Sequence, residues 1–259
     1  MSYFSPEDYA ALELIEADPR DNDTALQTVA NKLHNLHSTL YPRLRNHDLY
    51  LYPPAEKSQI VGEQSVTSVN NRAARAVTYF RPVPEARRVE RLMGLEMSGP
   101  QASVEARRHP VIELRITPHG FTVELVLSPD AWWDQQNMVG KLSLQRHQQA
   151  FYDMLCELDD TACLGFWEGT HMDDLHLTVA QLPLITIFEQ WMDTFEDSQD
   201  WFRVGIWYQP QDEALLAANI ADSLFASVKA LHNLYVFILW TSNNNFRSFH
   251  HNSEESAFA

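Results

Sequence analysis

Glycine is scarce in this chain, eight of 259 residues, and none is placed as GxGxxG or as the phosphate-cradling GxxxxGK[ST]. A phosphate-loop ATPase or a standard dinucleotide enzyme is therefore disfavoured. The GxSxG turn of many hydrolases is also missing. Cysteine is nearly absent: Cys156 and Cys163 stand seven apart, which suits neither a CxxC redox pair nor half a zinc knuckle, so buried free thiols are expected. The most lipid-like run, Leu234 to Trp240, is seven residues long, against the ~20 a spanning helix requires. No membrane span is expected. The opening Met1-Ser2-Tyr3-Phe4-Ser5-Pro6-Glu7-Asp8 lacks the basic and apolar regions of an export signal, which makes a cytoplasmic location the expectation.

What is abundant is apolar mass and negative charge. Hydrophobic residues make up 45% and charged residues 21%, enough for a sizeable core and incompatible with collagen, coiled coil or general disorder. The formal net charge of −16 opposes nucleic acid and anionic lipid, so neither is an expected partner. The charge is uneven. Residues 70–115 hold nine Arg and five Glu with no Asp or Lys, a local +4 that leaves −20 for the rest. Arginine is a planar fork suited to carboxylate or phosphate. Two readings of Arg87, Arg88, Arg107, Arg108 and Arg115 follow: surface ion pairs, or a site for an anionic small molecule or acidic protein partner.

Periodicity gives the outline of the fold. Ser5-Pro6-Glu7-Asp8 reads as a helix start running to Ala17, and a second helix with Leu26, Val29, Leu33, Leu36 and Leu40 on one face is expected to stop at Pro42. Together they make a helical hairpin. Residues 43–72 read as a loop of low order. Ala76–Phe80 has strand composition, and Pro84–Met93 a short helix ended by Gly94. Ile112, Leu114 and Ile116, then Val123, Leu125 and Leu127, alternate on either side of Thr117-Pro118-His119-Gly120, which marks a β-hairpin over 111–127. Ser128-Pro129-Asp130 repeats the capped helix start, and Leu142–Leu158 is a further amphipathic helix. Cys163–Trp167, Leu175–Val179 and Trp201–Tyr208 read as strands, and Leu184–Phe195 as a helix. A long apolar helix carries Leu216, Ile220, Leu224, Val228, Leu231 and Tyr235 on one face. The sum is an α+β fold: one domain over 1–247 with an N-terminal helical hairpin and a mostly antiparallel sheet, followed by a frayed tail at 248–259.

Two constellations could carry chemistry. His171, Asp173, Asp174 and His176 offer four metal-ligating side chains in six residues, although an extended chain would turn alternate ones to opposite faces. In the hairpin, Ile116 opposite Phe121 places Glu113 opposite Glu124 on the face of Arg115. Facing like charges need relief from an arginine, a shared proton or a bound cation. The aromatic clusters Trp132-Trp133, Phe166-Trp167, Trp201-Phe202, Trp207-Tyr208 and Trp240 read first as core packing, then as pocket walls.

Two functions remain open. One is a cytoplasmic binding or regulatory protein engaging an anion through the arginine-rich segment, as a homo-oligomer joined through the apolar C-terminal helix. The other is a divalent-metal-dependent hydrolase or nuclease that combines the His/Asp cluster with Glu113 and Glu124.

Overall fold

The computed structural model describes residues 1–17, 23–54, 61–62, 66–67, 73–95 and 104–247. Its centre is the hairpin of β3 (Val111–Thr117) and β4 (Gly120–Leu127), paired with Ile116 opposite Phe121 and Glu113 opposite Glu124. Around it lie β1 (Val61–Gly62), β2 (Arg75–Tyr79), β5 (Cys163–Gly165), β6 (Leu177–Thr178) and β7 (Phe202–Tyr208). The sheet order is β1-β2-β3-β4-β7-β5-β6, with every neighbouring pair antiparallel.

The two faces differ in chemistry. Ile112, Leu114, Val123, Leu125 and Val204 point to one side, where they join side chains from six helices in one apolar core. Those helices are α1 (Pro6–Ala17), α2 (Asp23–Asn46), α4 (Trp132–Leu142), α5 (Gln145–Cys156), α6 (Ile185–Met192) and α7 (Ile220–Ile238). Each fully buried Leu, Ile, Val or Phe here contributes about 1.5–3 kcal/mol relative to exposure. The short α3 (Val83–Leu92) lies apart; its Ala86 joins Val66, Phe80, Val111, Val126 and Trp201 in a smaller cluster. The fold is thus α+β, and no helix among the described residues is long and apolar enough to cross a membrane.

Local chemistry fixes the ends of these elements. The Ser5 amide donates to Asp8 Oδ2 (2.6 Å) and its carbonyl receives the Asp8 amide (3.0 Å), which starts α1. Asp8 also pairs with Lys32 of α2. Buried polar residues on α4 fasten the end of α7. Asn137 Nδ2 donates to the Ile238 carbonyl (3.0 Å), Lys141 Nζ to the Phe237 carbonyl (2.5 Å) and to Asn244 Oδ1 (2.7 Å), and the Trp240 amide donates to Asp134 Oδ1 (2.6 Å). The bonds to Ile238 and Phe237 satisfy helix-end carbonyls that have no partner within the helix.

Several expectations are corrected. Pro42 does not stop α2, which runs on to Asn46; buried Leu40 and Leu44 hold both sides of the proline against the core, and packing prevails over propensity. Two residues past that end, Asp48 adopts a left-handed conformation (φ 54°) that turns the chain away from the helix axis. Ser128 caps nothing, because its hydroxyl donates to the Arg107 carbonyl (2.5 Å), and a single 3-10 turn over Pro129–Ala131 precedes α4. The helix expected over Leu142–Leu158 is α5, shorter at both ends. The strand at Leu175–Val179 shrinks to Leu177–Thr178, since Thr178 and Gln181 form a capping box that opens a 3-10 turn. Leu216 precedes α7. Cys163 is buried as expected but Cys156 is exposed. The stripe Leu224, Val228, Leu231 and Tyr235 is enclosed in the chain's own core, so this face is not open to a second copy. Within the loop expected at 43–72, Tyr52 bridges Phe80 and β1 pairs with β2; residues 55–60, 63–65 and 68–72, with the tail at 248–259, lie outside the described residues.

Candidate functional site

The second face of the sheet is built from alternate residues of the same strands and is mostly polar. Across β2, β3, β4, β7 and β5 one row reads Thr78, Glu113, Glu124, Gly205, Cys163. The row on one side reads Ala76, Arg115, Thr122, Trp207; that on the other includes Val126, Arg203 and Gly165. Glu113, Arg115, Glu124 and Arg203 are all completely buried.

They form one charge chain. Arg115 Nη1 donates to Glu113 Oε1 (2.9 Å) and Nη2 to Glu124 Oε2 (2.6 Å), which also receives Arg203 Nη2 (2.6 Å). The facing glutamates are therefore relieved by arginine. Glu113 is further held by the Thr67 hydroxyl (2.7 Å) and the Val66 amide (2.8 Å), and Arg203 Nη1 donates to the Gly169 carbonyl (2.6 Å). Burial opposes the Glu124 charge, but the guanidiniums of Arg203 and Arg115 prevail and hold its carboxyl below the usual carboxylate range. At Arg115 burial is likewise outweighed, by Glu124 and Glu113, and the guanidinium is stabilised. Arg203 faces one carboxylate that it must share, and there burial wins and lowers its basicity. Both arginines nevertheless stay charged at neutral pH.

Two indoles wall the chain. The Arg203 guanidinium lies 4.8 Å from the Trp167 ring centroid and 5.9 Å from that of Trp207, and Arg115 lies 5.5 Å from Trp207. Two glycines make room. A Cβ on Gly165 would stand 2.3 Å from Trp167 Cζ3, and one on Gly205 would stand 2.3 Å from the Val123 carbonyl oxygen and 2.7 Å from Glu124 Cγ. The thiol of Cys163 is pushed up by burial and by the Glu124 carboxylate, which keeps it protonated and a poor nucleophile.

Hydrogen bonding on this face is incomplete. Among the described residues, Arg115 Nε, Arg203 Nε, Trp167 Nε1 and Trp207 Nε1 are buried donors without an acceptor, Thr122 Oγ1 is without a partner, and Glu124 Oε1 is the one orphaned carboxylate oxygen of the cluster. A buried unpaired donor costs about 1–3 kcal/mol. The arrangement favours whatever brings acceptors to it.

The other expected site residues are scattered. Arg87 and Arg88 are exposed on α3; Arg107 pairs with Asp130 (2.6 Å), and Arg108 with Glu105 (3.0 Å) and Glu90 (3.5 Å). Of the five, Arg115 alone lies in the buried chain. His171, Asp173, Asp174 and His176 do not converge: His176 Nδ1 bonds the Asp173 carbonyl (2.6 Å), Asp173 Oδ1 accepts the Leu175 amide (2.7 Å), and His171 faces Glu16 of α1 (3.6 Å). Arg203 and Thr122 escaped the sequence reading, and Trp167 and Trp207 entered it only among aromatic clusters read first as core packing. The alternation Arg203, Gly205, Trp207 was visible, but not the pairing of β7 with β4 that gives it meaning.

A second buried polar cluster joins α3 to the α4–α7 junction. Arg81 pairs with Asp134 and donates to the Trp240 carbonyl (3.1 Å). His109 stacks on Phe80 (5.9 Å between centroids), with Nε2 3.6 Å from Glu90. Burial pulls the His109 imidazole below its usual basicity. At Glu90 burial is outweighed by His109 and the Glu105 amide, and its carboxyl titrates low. Comparison with known protein families and with individual curated proteins finds no match.

Proposed function

We propose that the chain is a cytoplasmic ligand-binding protein and that its ligand is a small, acceptor-rich anion held on the polar face of the sheet by Arg115, Arg203, Trp167 and Trp207. The observation that carries this reading is that four buried donors without acceptors among the described residues belong to one cluster, in which the two guanidiniums lie beside the two indole rings. The two glutamates and two arginines there sum to zero charge, so the ligand is selected by hydrogen bonding and not by bulk attraction to a protein of charge −16. A binding role is also the one that asks least of the residues: Glu113 is saturated by Arg115, Thr67 and Val66, and the neighbouring thiol is held neutral. The arginine-rich segment contributes Arg115; exposed Arg87 and Arg88 would add at most a docking surface for an acidic partner.

The reading is tested by thermal melts of dialysed protein with orthophosphate, succinate or citrate. A ligand at 100 times its Kd adds about 2.7 kcal/mol, a rise of roughly 5–10 °C in a chain of this size. The expected result is such a saturable rise with at least one probe, lost in Trp207→Phe. If none of the three moves the melt, or the rise persists unchanged in that variant, the reading fails.

A further inference from the structure

Outside the polar face, the fold brings together three residues that sequence spacing could not connect. Glu16 lies in the last turn of α1, His119 in the two-residue turn of the β3–β4 hairpin, and His171 in the chain between β5 and β6. Their candidate ligand atoms all lie within 4.8 Å of one another. The two imidazoles approach the two oxygens of one carboxylate separately: His171 Nε2 is 3.6 Å from Glu16 Oε1, and His119 Nε2 is 3.7 Å from Glu16 Oε2. The rings lie 5.1 Å apart, inclined at 49°.

These separations are too long for hydrogen bonds, which need about 2.7–3.2 Å. They are close to the edge of a coordination polyhedron: metal–nitrogen and metal–oxygen bonds of about 2.0–2.2 Å at a tetrahedral angle put neighbouring ligand atoms roughly 3.4 Å apart. Electrostatics points the same way. Glu16 stands at the negative end of the α1 dipole, where the last turn carries no basic residue; an acid there is unfavourable, and a cation held by it reverses the sign. The net charge of −16 further favours cation approach.

We propose that Glu16, His119 and His171 form a binding site for a divalent transition metal of the zinc class, with the remaining coordination positions open to water. Two imidazoles and one carboxylate suit zinc and its neighbours and not magnesium or calcium, which prefer all-oxygen sets. The bound ion ties α1, the central hairpin and the chain after β5 at one point. Of the metal ligands expected from sequence, this site retains His171 and replaces Asp173, Asp174 and His176 with residues from two other elements.

The test is calorimetric titration of the full chain with zinc, in a His250→Ala, His251→Ala background because that adjacent pair would take up zinc unaided. One equivalent with a Kd of about 100 µM or tighter (near −5.5 kcal/mol) is expected. His119→Ala, His171→Ala and Glu16→Gln each weaken it at least tenfold, while His176→Ala leaves it unchanged. All three ligand positions are exposed, so the fold, followed by circular dichroism, survives these changes. Weaker binding than that threshold, or a constant that His119→Ala and His171→Ala alter less than tenfold, overturns the proposal, as does loss of binding in His176→Ala.

Discussion

Removing one charge from the buried chain exposes how its members depend on each other. Glu124 Oε2 accepts both Arg115 Nη2 and Arg203 Nη2 at 2.6 Å, so Glu124→Gln leaves two buried guanidiniums against the single carboxylate of Glu113. Breaking a buried ion pair from one side costs about 3–5 kcal/mol. Arg203→Met removes the opposite charge and costs a comparable amount, because Glu124 then has Arg115 alone. The double variant restores neutrality with Glu113 and Arg115, and its loss should fall short of the sum of the single losses by about 1–3 kcal/mol. Urea unfolding of the four proteins, with m unchanged, measures this directly; each single variant should also melt roughly 6–20 °C lower. Additive losses, within about 0.5 kcal/mol, would refute the argument that these groups act as one chain.

Gly205→Ala forces a methyl against the Val123 carbonyl, a backbone atom that cannot step aside, and should cost at least about 1–3 kcal/mol by urea unfolding. His109 titrates below its unfolded value of about 6.5. The unfolded chain therefore binds more protons as pH falls below that value, and the stability His109 contributes is present above it and lost as pH falls through the folded value. Melts from pH 8 to pH 5 should decline, with His37 and His232, lowered for the same reason of burial, adding to the fall; a flat or rising profile would contradict this. Glu90 and Glu124, also lowered, lose their contribution only at more acid pH. Asn137→Ala removes the bonds to the Ile238 carbonyl and the Phe246 amide, and hydrogen exchange should rise at residues 238–246 before it rises in the sheet. A thiol reagent should modify exposed Cys156 in the native protein and buried Cys163 only after unfolding.

The hairpin was legible in the sequence because a period of two fixes which residues share a face, and the short turn at Pro118-His119 then fixes the register. Glu113 opposite Glu124, with Arg115 on the same face, followed from that register alone. Arg203 did not, since the partner of Glu124 across the sheet arrives from a strand about 80 residues later and no local pattern announces it. Helix ends were least legible where a side chain found a tertiary partner: Ser128 gave its hydroxyl to Arg107, and the two leucines flanking Pro42 held a helix that propensity would have ended. The four candidate metal ligands fail to come together for a related reason. His171, Asp173, Asp174 and His176 are close in sequence, but the turn at Asp173 uses its own carbonyl and carboxylate locally, while Glu16 and His119 reach His171 only through the fold.

Ligand capture by Arg115, Arg203, Trp167 and Trp207 can be followed through the indole N–H resonances of the seven tryptophans in a nitrogen-15-labelled chain titrated with orthophosphate, succinate and citrate. The resonances of Trp167 and Trp207, assigned by substitution with Phe, should shift saturably with at least one probe while the other five stay in place. Seven unmoved resonances, or seven that drift together, would contradict it.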